Sequence, residues 1–216
     1  MSNFAYLLLE IFDPYDGKHK YFCGFKKFFN YDDGYIGTNP HQYAIPGGEK
    51  KKKESYLDGA MREFHEEIGY NISKLANNNN IELLWENKCA KIYKMIIPYY
   101  YKNLIQYDKN KIRSMNEYIE FEFLDWFTLD SMMNKFKEKC NFDLMVELYI
   151  NNILNFKNNG KLEWLYYQKE LTYNKVINGL KNNEIGLKIR LKNLLKNYLK
   201  KRSLNDWFIE AINVIR

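Results

Sequence analysis

Three glutamates, Glu63, Glu66 and Glu67, follow shortly after a pair of glycines, Gly47 and Gly48. On a helix, the intervals between the glutamates place all three carboxylates on one face. Like charges at this spacing destabilise an isolated helix by about 0.2–0.5 kcal/mol per pair, which indicates that a cation compensates them. Clustered carboxylate oxygens suit hard divalent cations, so the spacing predicts a site for Mg²⁺ or Mn²⁺.

The stretch from Gly48 to Tyr70 resembles the Nudix box, G-x5-E-x7-R-E-U-x-E-E-x-G-U, in which U is a bulky apolar residue. All seven fixed positions match, and they are Gly48, Glu54, Arg62, Glu63, Glu66, Glu67 and Gly69. Phe64 fills the first apolar position, and Tyr70 fills the second with an aromatic side chain in place of an aliphatic one. By this resemblance, the chain is identified as a Nudix hydrolase.

The resemblance implies a role for each matching residue. The metal ligands that it implies are the Gly47 carbonyl and the carboxylates of Glu63, Glu66 and Glu67. One of Glu66 and Glu67 would also activate the attacking water or lie beside the base that does so, and which of the two is the base stays open. Glu54 would hold Arg62, while Gly48 and Gly69 would support the loop and the helix end. The implied reaction is hydrolysis of a diphosphate linkage in a nucleoside diphosphate joined to another group.

A helix from Tyr56 to Ile68 must position these carboxylates. Ser55 is placed to cap its N-terminus, with Asp58 in the first turn, and Gly69 is placed to end it. Its predicted core face consists of Ala60, Phe64 and Ile68. Arg62 lies four residues before Glu66, which is close enough on a helix to orient that carboxylate by a charge-assisted hydrogen bond.

The remaining pattern predicts an α/β fold, a Nudix-type α/β/α sandwich with a mixed central sheet over residues 1–158. The predicted strands are 6–12, 21–29, 42–45, 81–85, 90–101 and 118–126, the further helices are 128–139 and 142–156, and 102–116 is expected to be a polar loop. The helix at 142–156 is expected to complete the sandwich.

A further carboxylate near residue 120 is implied by the family resemblance, either in the metal site or as the base. In the segment from Glu117 to Trp126, Glu120 and Glu122 alternate with Phe121 and Phe123. Glu120 is the first candidate and Glu117 the second. A merely solvated strand face explains the same alternation equally well.

Residues 159–216 form a basic helical C-terminal extension in this interpretation. They hold 12 Lys and Arg against 5 Asp and Glu, whereas the preceding 158 residues are nearly neutral. An amphipathic helix at 187–199 carries much of this charge, and the lysines proposed to contact RNA or phosphate are Lys196, Lys200 and Lys201. Lys52 and Lys53, in the box loop, are the second candidate set. A solvated basic face is the alternative for both.

These features favour one substrate without excluding others. The 5′ cap of an mRNA, a nucleoside linked through a triphosphate, would account for both the box and the basic extension. The alternatives are a small substrate (ADP-ribose, a diadenosine polyphosphate or a diphosphoinositol polyphosphate) and a non-catalytic nucleotide- or RNA-binding module.

The three scattered cysteines form no C-x-x-C pair, which favours a reducing compartment, and the first apolar run contains Glu10. A cytoplasmic protein without a membrane span is therefore expected, and a homodimer stays open.

Overall fold

The computed structural model describes residues 3–27, 41–115, 119–138, 173–182, 184–200 and 206–215, with 141, 143, 144, 146 and 147 between them. The strands are β1 (Phe4–Asp13), β2 (Lys18–Lys26), β3 (Tyr43–Ala44), β4 (Gly47–Glu49), β5 (Ile81–Glu86), β6 (Ala90–Ile96) and β7 (Phe121–Thr128). The helices are α1 (Tyr56–Ile68), α2 (Lys109–Ser114), α3 (Leu129–Lys137), α4 (Tyr173–Lys181), α5 (Ile185–Lys200) and α6 (Asp206–Ile215), with 3-10 turns at Ile72–Leu75 and Tyr99–Asn103.

The pattern of β1 sets the layers of the fold. Ala5, Leu7, Leu9 and Ile11 contribute to one buried cluster, while Tyr6 and Leu8 contribute to another. Because side chains alternate along a strand, a strand with apolar residues on both faces must lie between two layers. Helix α1 covers the first face through Ala60, Phe64 and Ile68, as predicted.

The sheet is mixed, also as predicted. It runs in the order β3-β2-β1-β6-β5, with β4 paired to β1 and β7 paired to β2. β1 and β6 are parallel, whereas β1 and β2 are antiparallel. β1 pairs with β4 over residues 4–6 and with β2 over residues 9–13. On the edge of β1 that does not pair with β6, the pairing partner therefore changes from β4 to β2 in the middle of the strand, next to the glycine pair.

The second face of the sheet is covered by α3 and α6. Met132, Met133 and Phe136 of α3 and Phe208, Ala211 and Ile212 of α6 belong to one buried cluster with side chains of the sheet. The Phe208 ring meets Tyr6 edge-on, with centroids 5.0 Å apart. This face and the α1 face make the predicted α/β/α sandwich.

Helix α6 lies within the segment 159–216 and belongs to the same compact unit as the sheet. Residues 206–215 form one compact unit with 1–26 and 43–138, while 27–42 and 139–204 form the other. The helix expected at 142–156 lies largely outside the described residues, and α6 supplies the helix that completes the sandwich. The predicted boundary at residue 158 also lies outside them and stays a prediction. Periodicity cannot tell which of several amphipathic helices will cover a given face.

Most other predicted elements are present, with shifted ends. β6 ends at Ile96, before Pro98, and a 3-10 turn follows where the strand was expected to continue to residue 101. The segment 102–116, predicted as loop, contains α2, whose N-terminus is capped by Asp108 through the backbone N–H groups of Asn110 and Lys111. Thr128 caps α3, and its hydroxyl accepts a hydrogen bond from the Ser131 N–H.

The second compact unit contains α4 and α5, and α5 is the basic amphipathic helix that the sequence predicts. Leu191 and Leu195 of α5 are buried, as is Val176 of α4. Within the described part of the chain, no helix combines the length and the apolar composition needed to cross a lipid bilayer.

If α6 is part of the sandwich, Phe208→Ala should destabilise the whole core domain. Removing a fully buried Phe side chain costs about 3–5 kcal/mol, measurable by urea denaturation. Val214→Ala, on the same helix but 60% exposed, is the matched control and should change stability by less than about 0.5 kcal/mol. Equal effects of the two substitutions would contradict the packing of α6 on the sheet.

Candidate active site

Helix α1, which carries the box glutamates Glu63, Glu66 and Glu67, is capped at both ends and packed along its apolar side. The Ser55 hydroxyl accepts from the Asp58 N–H, and Gly69 ends the helix with a left-handed φ of 81°. Ala60, Phe64 and Ile68 have no exposed surface. Because the apolar side of the helix is fixed in this way, the opposite side holds its polar residues in a defined place relative to the sheet.

Arg62 organises the outer part of the site. Its Nη1 donates to Glu63 Oε1 and to Glu66 Oε2, both at 2.6 Å. Its Nε and Nη2 donate to the two oxygens of Glu54 at 3.1 and 2.8 Å, and Nη2 also donates to the Glu49 carbonyl at 3.0 Å. The predicted orientation of Glu66 by Arg62 and of Arg62 by Glu54 is present in this geometry.

A second cation, Lys26, organises the inner part. Its ammonium donates to Glu67 Oε1 at 2.6 Å and to Glu120 Oε2 at 2.5 Å. It also lies 4.4 Å from the centroid of the Phe121 ring. The side chains of Lys26 and Glu67 are 5% and 4% exposed, so this ion pair is buried, while Glu120 is 37% exposed. The Glu67 carboxylate therefore points inward, to Lys26.

A β-bulge brings Glu120 to Lys26. Phe25 of β2 pairs with Phe123 of β7, but the next residue, Lys26, pairs with Phe121, so the register shifts at this point. Bulges of this kind redirect side chains and are frequent next to active sites. Glu120 immediately precedes β7 and therefore lies beside Lys26. Its predicted alternative, Glu117, lies outside the described residues.

The glycine pair makes close approaches that a larger residue would block. The Gly47 N–H donates to Glu67 Oε2 at 2.7 Å, so both oxygens of Glu67 are engaged. A Cβ at Gly48 would lie against Glu63 Oε2 and 2.7 Å from Glu63 Cδ. The backbone at Gly48 therefore leaves room for a carboxylate.

The donor set fits a hard divalent cation. Glu63, Glu66, Glu67 and the Gly47 carbonyl offer oxygen atoms only, which is the set that Mg²⁺ and Mn²⁺ prefer. Among the described residues, no three acidic, histidine or cysteine side chains are already arranged as a ligand group. Glu63 and Glu66 turn to Arg62, and Glu67 turns to Lys26, so their ligand roles stay predictions.

Burial and pairing move the carboxyl pKa values in opposite directions. The Arg62 guanidinium lowers the pKa of Glu54 to about 2. Burial raises the pKa of Glu63 and of Glu67, against the pull of their cationic partners. For Glu120, burial is the largest single effect and opposes ionisation, but the charge and the hydrogen bond of Lys26, together with a hydrogen bond to Glu67, lower the pKa. Burial disfavours the charged form of Lys26 and would lower its pKa, but the carboxylates of Glu120 and Glu67 together raise it.

The lysine run of the box loop divides into two pairs. Lys50 Nζ donates to the Glu54 carbonyl at 2.6 Å, and Lys51 Nζ lies 3.6 Å from Glu66 Oε1. Lys52 and Lys53, the two proposed phosphate contacts, are exposed. The structure therefore brings Lys51 to the site carboxylates, which the sequence analysis did not single out.

The lysines proposed on α5 are partly neutralised. Lys196 Nζ donates to Asp143 Oδ1 at 2.8 Å, and Lys192 pairs with Glu147. Both pairs lie within the second compact unit. The side chain of Lys200 and the whole of Lys201 lie outside the described residues, and their predicted contacts are untested.

A cleft of about 630 Å³ opens at the C-terminal end of α1. Its lining residues are Gly69, Tyr70, Leu104, Gln106, Tyr107, Asp108, Lys109, Asn110, Lys111 and Arg113. The Tyr107 hydroxyl donates to the Phe121 carbonyl at 2.6 Å, and its pKa is raised by burial and by Glu67, with Lys26 opposing. Tyr107 therefore connects the cleft to Phe121, the first residue of β7.

Sequence reasoning missed Lys26 and the cleft. A lysine at the end of the aromatic run from Tyr21 to Phe25 was a signal, since charged residues are rarely buried without a partner. The cleft had no comparable signal, because its residues come from a segment that was expected to be loop.

The similarity to known proteins extends beyond the box. A family model described as the NUDIX domain matches residues 32–146, more than half of the chain. No curated protein matches the sequence.

Several solved structures match the fold at low identity. A MutT/nudix family protein from Enterococcus faecalis is 17% identical, with 59% of this chain and 43% of that chain covered and a TM-score of 0.38. A mutT/nudix family protein from Listeria innocua is 16% identical, with coverages of 62% and 82% and a TM-score of 0.40. An Ap4A hydrolase from C. elegans in a binary complex is 13% identical, with coverages of 72% and 100% and a TM-score of 0.41. The chain thus spans less than half the length of the first of these proteins.

A substitution at Gly48 tests whether the space beside Glu63 is needed for metal binding. Gly48→Ala should push the Glu63 carboxylate aside and weaken Mn²⁺ binding by about 10–100-fold, as changes next to metal ligands do. Calorimetric titration with Mn²⁺ measures the effect. Gly186→Ala, where an added Cβ meets nothing within 4 Å, is the control and should leave binding unchanged. Unaltered Mn²⁺ affinity in Gly48→Ala would remove Glu63 from the ligand set.

Proposed function

The chain belongs to the Nudix family, and from that membership we propose that it hydrolyses a phosphoanhydride bond in a nucleotide-type substrate, with Mg²⁺ or Mn²⁺ as cofactor. The observation that carries the proposal is the complete box on α1, with its carboxylates gathered around Arg62 and Lys26. Phosphoryl chemistry of this kind needs positioning and charge compensation more than covalent help from the protein.

The charges of the site favour a divalent cation. The described cluster contains the five carboxylates Glu54, Glu63, Glu66, Glu67 and Glu120 against three cations, Arg62, Lys26 and the more distant Lys51. The residues that would hold the metal are the Gly47 carbonyl with Glu63, Glu66 and Glu67. When bound, Mg²⁺ or Mn²⁺ neutralises phosphate oxygens and lowers the pKa of water toward neutrality.

Glu66 is the carboxylate that we assign as general base. Arg62 holds its Oε2, while its Oε1 lies 3.6 Å from Lys51 Nζ, beyond hydrogen-bond distance. Both oxygens of Glu67, in contrast, are hydrogen-bonded to Lys26 and to Gly47. Glu66 can therefore accept a proton from water without losing its link to Arg62.

For the substrate, we propose a capped RNA, whose phosphodiester backbone the basic helical C-terminal extension would bind. The support is the charge excess of residues 159–216 together with the basic residues of α5, of which Arg190 is exposed. The pairs Lys192–Glu147 and Lys196–Asp143 reduce this charge but do not cancel it.

A small nucleotide substrate is the second candidate, and the cleft beside α1 favours it. Its volume of about 630 Å³ lies within the range of small-molecule sites. Lys109, Lys111 and Arg113 would attract phosphates, and Tyr70 and Tyr107 offer aromatic rings for stacking on a base. ADP-ribose, a diadenosine polyphosphate and a diphosphoinositol polyphosphate are the substrates to compare with capped RNA.

The assignment of Glu66 as general base can be tested with the variant Glu66→Gln, and Glu67→Gln is measured in parallel. Each should lower kcat by about 10²–10⁴-fold, the usual contribution of proton transfer by a positioned group, with circular dichroism unchanged. The substrate panel named above, incubated with Mg²⁺ and resolved by product, supplies the reaction. Glu82→Gln, 60% exposed on β5, should keep full activity. Full turnover by Glu66→Gln would refute its assignment as the general base, and full turnover by both variants would refute the role of the box carboxylates in the reaction.

The RNA interaction can be tested by neutralising Lys196, Lys200 and Lys201 together. For binding to single-stranded RNA, the slope of log K against log salt should fall by about 0.7 per lost contact, or roughly 2 in all. Lys18, Lys74 and Lys88, exposed lysines of the other compact unit, form the matched triple control. Point variants are preferable to deleting 159–216, because that deletion removes α6 from the core. An unchanged slope would leave the small nucleotides as the substrate class.

A further inference from the structure

We propose that Lys26 is a positioning residue that acts as an internal counter-cation, holding Glu67 and Glu120 together until a divalent metal binds. This inference rests on the proposed function in so far as it takes Glu67 to be a metal ligand. It assigns to Lys26, which lies outside the box, the task of keeping the ligand frame assembled in the metal-free protein.

The geometry of Lys26 is that of a bound cation. Its ammonium lies 2.6 Å from one carboxylate oxygen and 2.5 Å from another, and it faces the Phe121 ring at 4.4 Å. The two carboxylates come from α1 and from the residue before β7, which are far apart in the sequence. Without a positive charge between them, they would repel each other, and the burial of Glu67 limits how far water screens this repulsion.

The loop that carries the glycine pair depends on the same contact. Glu67 receives the Lys26 ammonium on Oε1 and the Gly47 N–H on Oε2. The chain from Lys26 through Glu67 to Gly47 therefore links β2, α1 and β4 at the point where β1 changes partner. A carboxylate oriented from both sides in this way cannot turn freely when no metal is present.

The same contact must oppose the metal. A positive charge hydrogen-bonded to a metal ligand repels a divalent cation that approaches this ligand, and it occupies one of the ligand's two oxygens. Lys26 thus stabilises the metal-free site and weakens metal binding. A lysine with a purely structural role would do only the first.

The test is Lys26→Met in the full chain, with Mn²⁺ alone as the probe. Leaving Glu67 and Glu120 without their partner should lower the midpoint of thermal unfolding in EDTA by roughly 10 °C. Saturating Mn²⁺ should restore most of this loss, so that the metal-induced shift is much larger than in the native protein. Calorimetry should give Mn²⁺ binding that is about tenfold tighter or more.

The matched control is Lys20→Met on the same strand. Lys20 bridges Asp13 and Asp16 at 2.6 and 2.8 Å, at the far end of β2. Its loss should lower stability equally with and without Mn²⁺. Lys26→Arg, which keeps the charge, should restore the native metal-induced shift.

A double variant keeps the test decisive if Lys26→Met folds poorly. Adding Glu120→Gln removes one of the two unpaired charges and should raise the unfolding midpoint in EDTA above that of Lys26→Met alone. An equal loss of stability with and without Mn²⁺, or unchanged Mn²⁺ affinity, would overturn the role of Lys26. If the native protein itself binds no Mn²⁺, the proposed function fails first, and the two failures are thus distinguishable.

Discussion

The concentration of negative charge at one end of α1 is the constraint on which the rest of the structure depends. Carboxylates from a helix, a loop and the start of a strand meet there, and Arg62 and Lys26 make the short ion pairs that compensate them, with Lys51 at a longer distance from Glu66. Arg62 binds the outer carboxylates, Glu54, Glu63 and Glu66, whereas Lys26 binds the buried Glu67 and the partly exposed Glu120. Because isolated charges are costly to bury, each cation fixes the position of its partners.

The sheet supplies the geometry that this arrangement needs. The change of partner along β1 places the glycine pair against the end of α1, and the bulge between β2 and β7 sets Lys26 beside Glu120. Both are local departures from regular pairing. They lie at the site, where a regular ladder would leave neither the space at Gly48 nor the redirected Lys26.

Helix α6 packs on the second face of the same sheet that holds the site residues. Phe208 packs on Tyr6, whose backbone neighbour in the sheet is Gly47. In the sequence, residues 139–204, which include the basic helix α5, therefore lie between two parts of one compact unit, since α3 precedes them and α6 follows them. An insertion of this kind can acquire its own charge without changing the core that holds the box.

The sequence by itself determined the box helix, its caps and its core face, because spacing along one helix follows from its pitch and needs no distant partner. The resemblance of the box to the Nudix family indicated the reaction class, and the succession of predicted strands and helices indicated the layered α/β architecture. Only the tertiary structure decided that Glu67 points inward to Lys26, that Glu120 joins it, and that α6 completes the sandwich. These outcomes depend on contacts between residues far apart in the chain, and hydrophobic periodicity carries no information about which distant elements will meet.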